Sequence, residues 1–439
     1  MTALAAKSAE WKDNNAKKFL PMSEKHPHVV IVGAGFGGLN AALGLRHAPC
    51  RVTVIDKSNH HLFQPLLYQV ATAGLSPGEI AAPIRHVLRR SRNTEVLMAE
   101  VTGADSHNKQ VLLQGERSIS YDYLIIATGA RHSYFGHDEW AQYAPGLKSI
   151  SDATSIRRNI LAAYEEAELE TDPIKRESLL TVVIVGAGPT GVEMAGSIIE
   201  LARLALKNEF RNFDPTNTHV ILAEAGPRIL TGFPESLSHA AQNELERLGI
   251  DVRTGTRVEN ISANSVRMNG AEVSANTVIW AAGVAASPAG TWLGVKTDHA
   301  GRVPVNQYLQ VESHPEMYVI GDTALALDAN GEPLPGLAPV AIQQGIYVAK
   351  RLSSEMEHKS LDLPFRYRDK GVLATIGRSY AIARIGKLRV SGWIAWLMWV
   401  FVHIMYLIGF RNRAVVMLDW IWAYVSYQRA VRLIVEEKT

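Results

Sequence analysis

The chain has 439 residues, 47% of them hydrophobic and 20% charged, which suits two or three globular domains around large cores. A formal net charge of +2 is too small for a nucleic-acid-binding surface. The single cysteine, Cys50, excludes an intramolecular disulfide, a CxxC redox pair and a cysteine-rich zinc site, and it fits a reducing compartment.

The first thirty residues are polar and mixed in charge, with no apolar signal-peptide core, and Glu10, Asp13 and Glu24 are unlike an acid-poor mitochondrial presequence. Residues 1–27 read as a loose arm. His28–Val32 is then a buried-strand pattern running into Gly33-Ala34-Gly35-Phe36-Gly37-Gly38 and a helix-compatible stretch, Leu39–Arg46. Arg51–Ile55 is a second strand, ending at Asp56. His60–Val70 follows as a hydrophobic segment opened by two histidines. His60 and His61 point to opposite faces of an extended chain, a poor metal geometry, and no metal site is expected. Cys50 sits beside an Ala-Pro turn that reads as surface.

The pattern then repeats. Leu180–Val185 runs into Gly186-Ala187-Gly188-Pro189-Thr190-Gly191 and a helix over Val192–Leu206, and His219–Ala223 is a strand ending at Glu224. Strand, GxGxxG, helix and terminal acid are the parts of a dinucleotide-binding unit. The first glycine makes the turn, the second lets the backbone approach a pyrophosphate, and the third lets helix pack on strand. The helix N-terminus offers positive partial charge to the phosphates. Tyr121–Ala130 and Thr277–Val284 echo each other as apolar strands entering small-residue turns. Met317–Ile320 leads into Gly321-Asp322, where the aspartate either caps a helix or hydrogen-bonds a bound cofactor.

Two Rossmann units, the Ala127-Thr128-Gly129 turn and the late Gly321-Asp322 resemble the two-dinucleotide-binding-domain flavoproteins, over roughly Val29 to Val348. The resemblance implies that the first fold holds FAD and that the second, inserted into it, holds the nicotinamide cofactor. By position, Gly33, Gly35, Gly38, Asp56, Thr128, Gly129 and Asp322 fall to FAD, with Phe36, Gly37, Lys57, Gln64, Val101, Gly321 and Ala338 completing that set. Gly186, Gly188, Pro189, Thr190, Gly191, Glu224 and Gly283 fall to NADH. Glu224 disfavours NADPH, because a carboxylate repels a 2′-phosphate, although Arg228 close by softens that discrimination. Glu193, near the start of the second Rossmann helix, either caps that helix or lies beneath the nicotinamide, steering NADH or relaying protons.

Without a cysteine pair the electrons must leave the flavin for a diffusible acceptor. His60–Val70 is similar to the segment that lines the flavin in type II NADH:quinone oxidoreductases; read alone, it is a hydrophobic loop with two solvated histidines. Leu337–Gly345 resembles that family's segment at the flavin–quinone junction, except that Pro339 replaces the first of two glutamines and only Gln343 is kept. Ile376 and Gly377 join Pro339 and Gln343 as quinone-lining candidates by resemblance. Trp393–Phe410 is an apolar run of membrane-span length. Trp393, Trp396, Trp399, Trp420 and Trp422, interleaved with Arg411 and Arg413, suit helices lying in the membrane interface. A spanning helix and a buried core or dimer helix are the other readings.

The expected fold is α/β: two Rossmann-like domains, the second inserted in the first, plus a C-terminal amphipathic helical region that anchors to membrane. FAD binding falls to 28–150 and 296–350, NADH binding to 151–295 and the C-terminal region to 351–439, with its membrane helices at about 391–435. The expected activity is FAD-dependent NADH oxidation with two-electron reduction of a membrane quinone, ubiquinone or menaquinone, without proton pumping. Glu193 and Gln343 are the catalytic candidates. The expected place is peripheral, on the cytoplasmic face of a bacterial inner membrane, and a homodimer is allowed. The rival readings are a soluble NADH-dependent reductase of a ferredoxin- or rubredoxin-type protein and a flavin-binding redox-sensing protein.

Overall fold

The computed structural model describes residues 26–359, 362–426, 429 and 431–434. Most of the N-terminal arm therefore lies outside the described residues, as do positions 427, 428, 430 and 435 of the tail. From the N-terminus, β1 (His28–Val32), α1 (Phe36–Gly44) and β2 (Arg51–Asp56) precede a short helix α2 (Leu67–Ala71). Then come β3 (Thr94–Met98), β4 (Tyr123–Ile126), α3 (Ile150–Leu169), β5 (Thr181–Val185) and α4 (Pro189–Glu200). β6 (His219–Ala223), β7 (Asp251–Arg253), β8 (Thr277–Trp280), β9 (Gln310–Val311), β10 (His314–Val319) and α5 (Ala338–Met356) follow. The chain closes with β11 (Val372–Thr375), β12 (Ala381–Ile385), β13 (Leu388–Gly392), α6 (Trp393–Tyr406) and α7 (Phe410–Ser426).

These residues form two compact units. Among the described residues, one comprises 26–59, 84–129 and the described part of 288–367, the other 60–83, 130–287 and the described residues from 368 onward. The cuts fall at 129/130 and 287/288 rather than at 150/151 and 295/296. The segment 60–83 groups with the second unit because its hairpin (His60–Leu62 with Ala81–Pro83) and α2 pack within that unit, α2 against α3 and α4.

In the first unit the sheet order is β9-β10-β4-β1-β2-β3. β1 is paired in parallel with β2 on one edge and β4 on the other, and its His-Val-Val-Ile-Val run is fully buried, the pattern of a parallel strand. Val30, Val32, Ile55, Leu124, Ile126, Met317 and Val319 form its core. Burying each such side chain contributes about 1.5–3 kcal/mol. α5 seats on α1 through small residues, since a Cβ on Gly345 would fall on the Gly37 carbonyl and one on Gly44 would fall on Ala349. Cys50 is not at the surface. It is buried beneath the Asn93 carboxamide, which donates to the carbonyls of Leu45, Ala48 and Cys50, and burial pushes its thiol up to about 11.

The second unit repeats the plan as β7-β6-β5-β8, all parallel. Val183, Val185, Ile221, Val278 and Trp280 fill its core, with Tyr134 stacked 5.0 Å from Trp280. The antiparallel sheet β11-β12-β13 delivers the chain to α6.

The spanning reading of Trp393–Phe410 is corrected. α6 stops at Tyr406, Leu407 is extended, and Gly409 takes a φ of +90°. No described helix is long and apolar enough to cross a membrane. The tryptophans also divide. Trp399 is 2% exposed and stacks on His403, and Trp420 packs 5.2 Å from Trp399, whereas Trp393 and Trp422 are 57% and 61% exposed. Burial lowers His403 to about 4, so its ring is neutral among these aromatics. Arg411 is exposed, while Arg413 donates to the Leu407 carbonyl at the end of α6.

The tail arginines turn inward. Arg429 donates to the Thr72 carbonyl (2.5 Å) and Ser197 Oγ (3.2 Å), and pairs with Glu200 at 3.4 Å. Both partners are largely buried, at 12% and 17% side-chain exposure, so removing one leaves a buried charge uncompensated. Arg429→Met should therefore destabilise the second unit by about 3 kcal/mol. Arg429→Met combined with Glu200→Leu should recover most of the loss. Thermal unfolding of the three proteins checks this, and equal melting temperatures for both variants would refute it.

Candidate functional site

In the first unit the phosphate-binding geometry follows from three glycines. Gly33 takes a φ of +96° and its N–H donates to the Ile55 carbonyl at 2.7 Å, which turns the chain off β1. A Cβ there would run into the Ala127 backbone, and one on Gly38 would overlap the Gly33 carbonyl oxygen. A Cβ on Gly35 would meet nothing within 4 Å. Gly35 is also the N-cap of α1 and supplies no side-chain cap. No side chain at the cap position therefore takes the first-turn amides of α1.

Asp56 fixes this loop. Its Oδ2 accepts from the Ala34 N–H at 2.7 Å, and its Oδ1 from the Ser58 N–H at 2.7 Å. Thr323 ties the other two turns together: its Oγ1 donates to the Gly129 carbonyl at 3.0 Å and lies 3.3 Å from Thr128 Oγ1. Gly129 and Gly321 both have positive φ, +67° and +71°. Since β10, β4 and β1 are neighbours, Gly321-Asp322, Thr128-Gly129 and Gly33–Gly38 all sit at the carboxyl ends of one sheet, the usual place for a ligand in such folds. Asp322 is in a single 3-10 turn, Gly321–Thr323, and does not cap α5, whose N-cap is Leu337. Ala338 and Pro339 open α5.

The second unit reproduces this arrangement. Gly186 has a φ of +99° and donates to the Ala223 carbonyl, a Cβ on Gly191 would overlap the Gly186 carbonyl oxygen, and one on Gly188 would be free. Gly188 caps α4 without a side chain, with Pro189 and Thr190 as its first helical residues. Glu224 does the work of Asp56: Oε2 accepts from Ala187 N–H and Oε1 from Gly226 N–H, both at 2.8 Å. Gly283 (φ +68°) must be bare, because a Cβ would press on the Phe135 ring. Arg228 donates to the Phe233 and Thr231 carbonyls at 3.0 Å each, so its guanidinium is occupied by backbone. Both loops fit a dinucleotide pyrophosphate by the same test: an uncapped helix end, open space at the middle glycine, and a carboxylate beyond.

Several anticipated positions have other surroundings. A Cβ on Gly37 would press on Ile320 and the Ala341 carbonyl, so this glycine serves the seating of α5. Lys57 and Gln64 are exposed, and Gln64 belongs to the second unit. Val101 begins a bulged strand whose side chains pack on the first unit's core. Gln343 is half-buried, but its neighbour Gln344 is 1% exposed and its Oε1 accepts the Gly321 N–H at 2.6 Å. Gln344 was missed by sequence reasoning, and it braces the Gly-Asp turn. Ile376 is buried, and Gly377 (φ +68°) abuts Gly196 of α4, where a Cβ would come within 2.6 Å of the Gly377 nitrogen. Gly196 was also missed; a glycine inside a helix costs about 1 kcal/mol and signals a close approach.

Residues 27–345 match the pyridine nucleotide-disulphide oxidoreductase family, and residues 370–426 match the NDH2 C-terminal domain. The type II NADH:quinone oxidoreductase Ndh of Mycobacterium tuberculosis is 43% identical over 424 residues, 93% of this chain and 90% of that protein. The same organism's NdhA is 43% identical over 408 residues, covering 89% and 86%. The chain belongs to the type II NADH:quinone oxidoreductases. The structure of Plasmodium falciparum NDH2 in complex with NADH superposes with a TM-score of 0.86 at 22% identity, over 93% of this chain and all of that one, which shows a shared fold. In this type II enzyme the disulphide of the wider family's name has no counterpart, since Cys50 is alone and buried.

Glu193 is the fifth residue of α4, past the cap, so helix capping does not explain it. Burial pushes its carboxyl up to about 8, opposed by a backbone hydrogen bond from Thr375 at the end of β11. Desolvation disfavours the charged form, so Glu193 is mostly protonated near neutrality. An unfolded glutamate ionises near 4.5, so folding holds a proton that the unfolded chain releases. Stability from this group is full below about 4.5 and declines as pH rises toward 8. Glu193→Gln should then gain melting temperature over the native chain at pH 9 relative to pH 5. A difference between the two proteins that does not change with pH would refute the buried, protonated carboxyl.

Proposed function

We propose that the first unit holds FAD on Gly33, Gly35, Gly38, Asp56, Thr128, Gly129 and Asp322, and that the second holds NADH on Gly186, Gly188, Gly191, Glu224 and Gly283. The reaction is NADH oxidation with two-electron reduction of a quinone, without proton pumping. The observation that carries the residue assignment is the duplicated, uncapped helix N-terminus with its carboxylate-anchored glycine loop. Bound FAD supplies the two-electron exchange. The chain's own residues bind and orient.

The α1 and α4 amides receive pyrophosphate, and Asp56 and Glu224, each oxygen of which already accepts one backbone N–H, keep a further lone pair per oxygen for ribose hydroxyls. Gln344 keeps the Gly321-Asp322 turn pointed to the carboxyl edge of the sheet. Glu193 holds a proton at its carboxyl, available to an acceptor that takes up two electrons. By resemblance, Pro339 and Gln343 are assigned to quinone. Glu224→Ser should raise the NADPH:NADH ratio of kcat/KM by about tenfold, because it removes the charge that repels a 2′-phosphate while Arg228 stays committed to carbonyls. An unaltered ratio would take Glu224 out of the account.

The outer face of α6 and α7 carries Trp393, Ile394, Leu397, Phe401, Leu418, Ile421 and Trp422, all exposed. Such a patch marks an interaction surface. We assign it to the bilayer interface on the cytoplasmic face of a bacterial inner membrane, where a lipophilic quinone enters without crossing water. With FAD bound, the protein should oxidise NADH with a short-chain ubiquinone in detergent. Trp393→Ser with Phe401→Ser and Trp422→Ser should retain that turnover yet fail to float with lipid vesicles. Flotation equal to the native chain would overturn the membrane assignment, and flavin reduction without quinone turnover would favour a protein acceptor.

A further inference from the structure

Phe135 of the second unit is an aromatic residue on a turn that has no use for one. The His137 N–H donates to the Tyr134 carbonyl at 3.1 Å, and the two residues between, Phe135 and Gly136, have φ of +54° and +95°. Positive φ at both central positions marks a type I′ turn, whose first place goes by preference to asparagine, aspartate or glycine. A bulky side chain there is held against its own backbone preference. Such a conformation persists where the surroundings fix it, and it points to a side chain kept for something other than the turn.

The surroundings do fix it. Tyr134 is buried, stacks on Trp280 at 5.0 Å and donates its hydroxyl hydrogen to the Ala144 carbonyl at 2.8 Å. His137 stacks on Trp140 at 4.2 Å. The Trp280 indole N–H donates to the Ser133 carbonyl at 2.9 Å, and the Ser133 N–H to the Gly283 carbonyl at 3.4 Å. Between these anchors Phe135 is 69% exposed. Its ring touches the protein along one edge, where Cζ and Cε2 fill the space a Cβ on Gly283 would take, and its centroid lies 6.2 Å from that of Trp280. A ring that plugged an empty cleft would be buried by it. This one stands as a wall, with most of its surface in solvent.

Its place in the sheet decides what it meets. In the order β7-β6-β5-β8, Glu224 follows β6, the Gly186–Gly191 loop leaves β5, and Gly283 lies just past β8. Glu224 takes the adenosine ribose and the α4 amides the pyrophosphate, so a dinucleotide laid across these strand ends carries its nicotinamide half toward β8 and Gly283. We infer that Phe135 is the aromatic wall of the nicotinamide subsite, its fixed phenyl ring packing on the nicotinamide ring of the bound cofactor. This rests on the assignment of NADH to the second unit proposed above. The two redox forms offer that wall different chemistry. The ring of NADH is a neutral dihydropyridine, whereas that of NAD⁺ is a planar aromatic cation, which a phenyl face attracts through its quadrupole as well as by stacking. The turn is set before binding, so little is spent on ordering it. Phe135 therefore holds the oxidised cofactor more strongly than the reduced one.

Calorimetric titration of the FAD-loaded protein with NAD⁺ and with ADP-ribose isolates the contact, because the two ligands differ only in the nicotinamide ring and neither reduces the flavin. Phe135→Ala should weaken NAD⁺ binding by about tenfold and leave ADP-ribose within about twofold. Phe135→Tyr keeps the ring and should hold both ligands within about twofold of the native values. In steady state with a short-chain ubiquinone, KM for NADH in Phe135→Ala should rise by about threefold, less than the loss for NAD⁺. NAD⁺ affinity unchanged in Phe135→Ala, or NAD⁺ and ADP-ribose weakened alike, overturns the inference. Should that variant fail to fold, Phe135→Gly, which puts at this place a residue the turn prefers, is read by the same comparison. Failure of ADP-ribose to bind the native protein would overturn the assignment of NADH to the second unit, and this inference with it.

Discussion

The N-termini of α1 and α4 each open from a glycine loop that supplies no side-chain cap, and most of the architecture serves to keep them so. Backbone N–H groups at a helix end need an acceptor, and a serine or aspartate at the cap is the ordinary provision. α3 shows that provision, with Ser149 and Asp152 closing a capping box. α1 and α4 have glycine instead, in a loop whose shape allows no Cβ at its first and third positions. A carboxylate from the next strand takes one loop amide and leaves the helix mouth to an anion. The parallel sheet, the crossing helix and the closing turns all hold that mouth open.

The duplicated loops were legible in the sequence because they obey short-range rules. A buried β-branched strand and a glycine at positive φ are fixed within a few residues of the motif, and the acid is marked by the end of the next apolar strand. β1 and β6 fall on the residues the pattern marked, and Asp56 and Glu224 occupy equivalent positions. The helices begin earlier than the apolar pattern did, at Phe36 and Pro189, because the glycine loop itself supplies the first turn.

What stayed hidden depends on packing across long separations. Gln343 and Gln344 differ by one step, yet a step on a helix turns the side chain by about 100°, and only the structure shows which one meets Gly321. Gly196 has meaning only once Gly377 is seen against it. The C-terminal tryptophans look alike in the sequence, but Trp399 and Trp420 complete an interior while Trp393 and Trp422 face outward. Arg429, far along the tail, balances Glu200, a pairing no local pattern announces. Composition identified the tail as amphipathic; it could not sort its two faces.

The solitary thiol has a physiological corollary. Peroxide and electrophiles attack thiolates that are exposed and of low pKa. Cys50 is neither, being sealed beneath the Asn93 carboxamide and harder to ionise than a free cysteine. With its one thiol buried and un-ionised, this chain offers an oxidant no sulfhydryl to attack, and its electron transfer is uncoupled from the thiol redox balance around it.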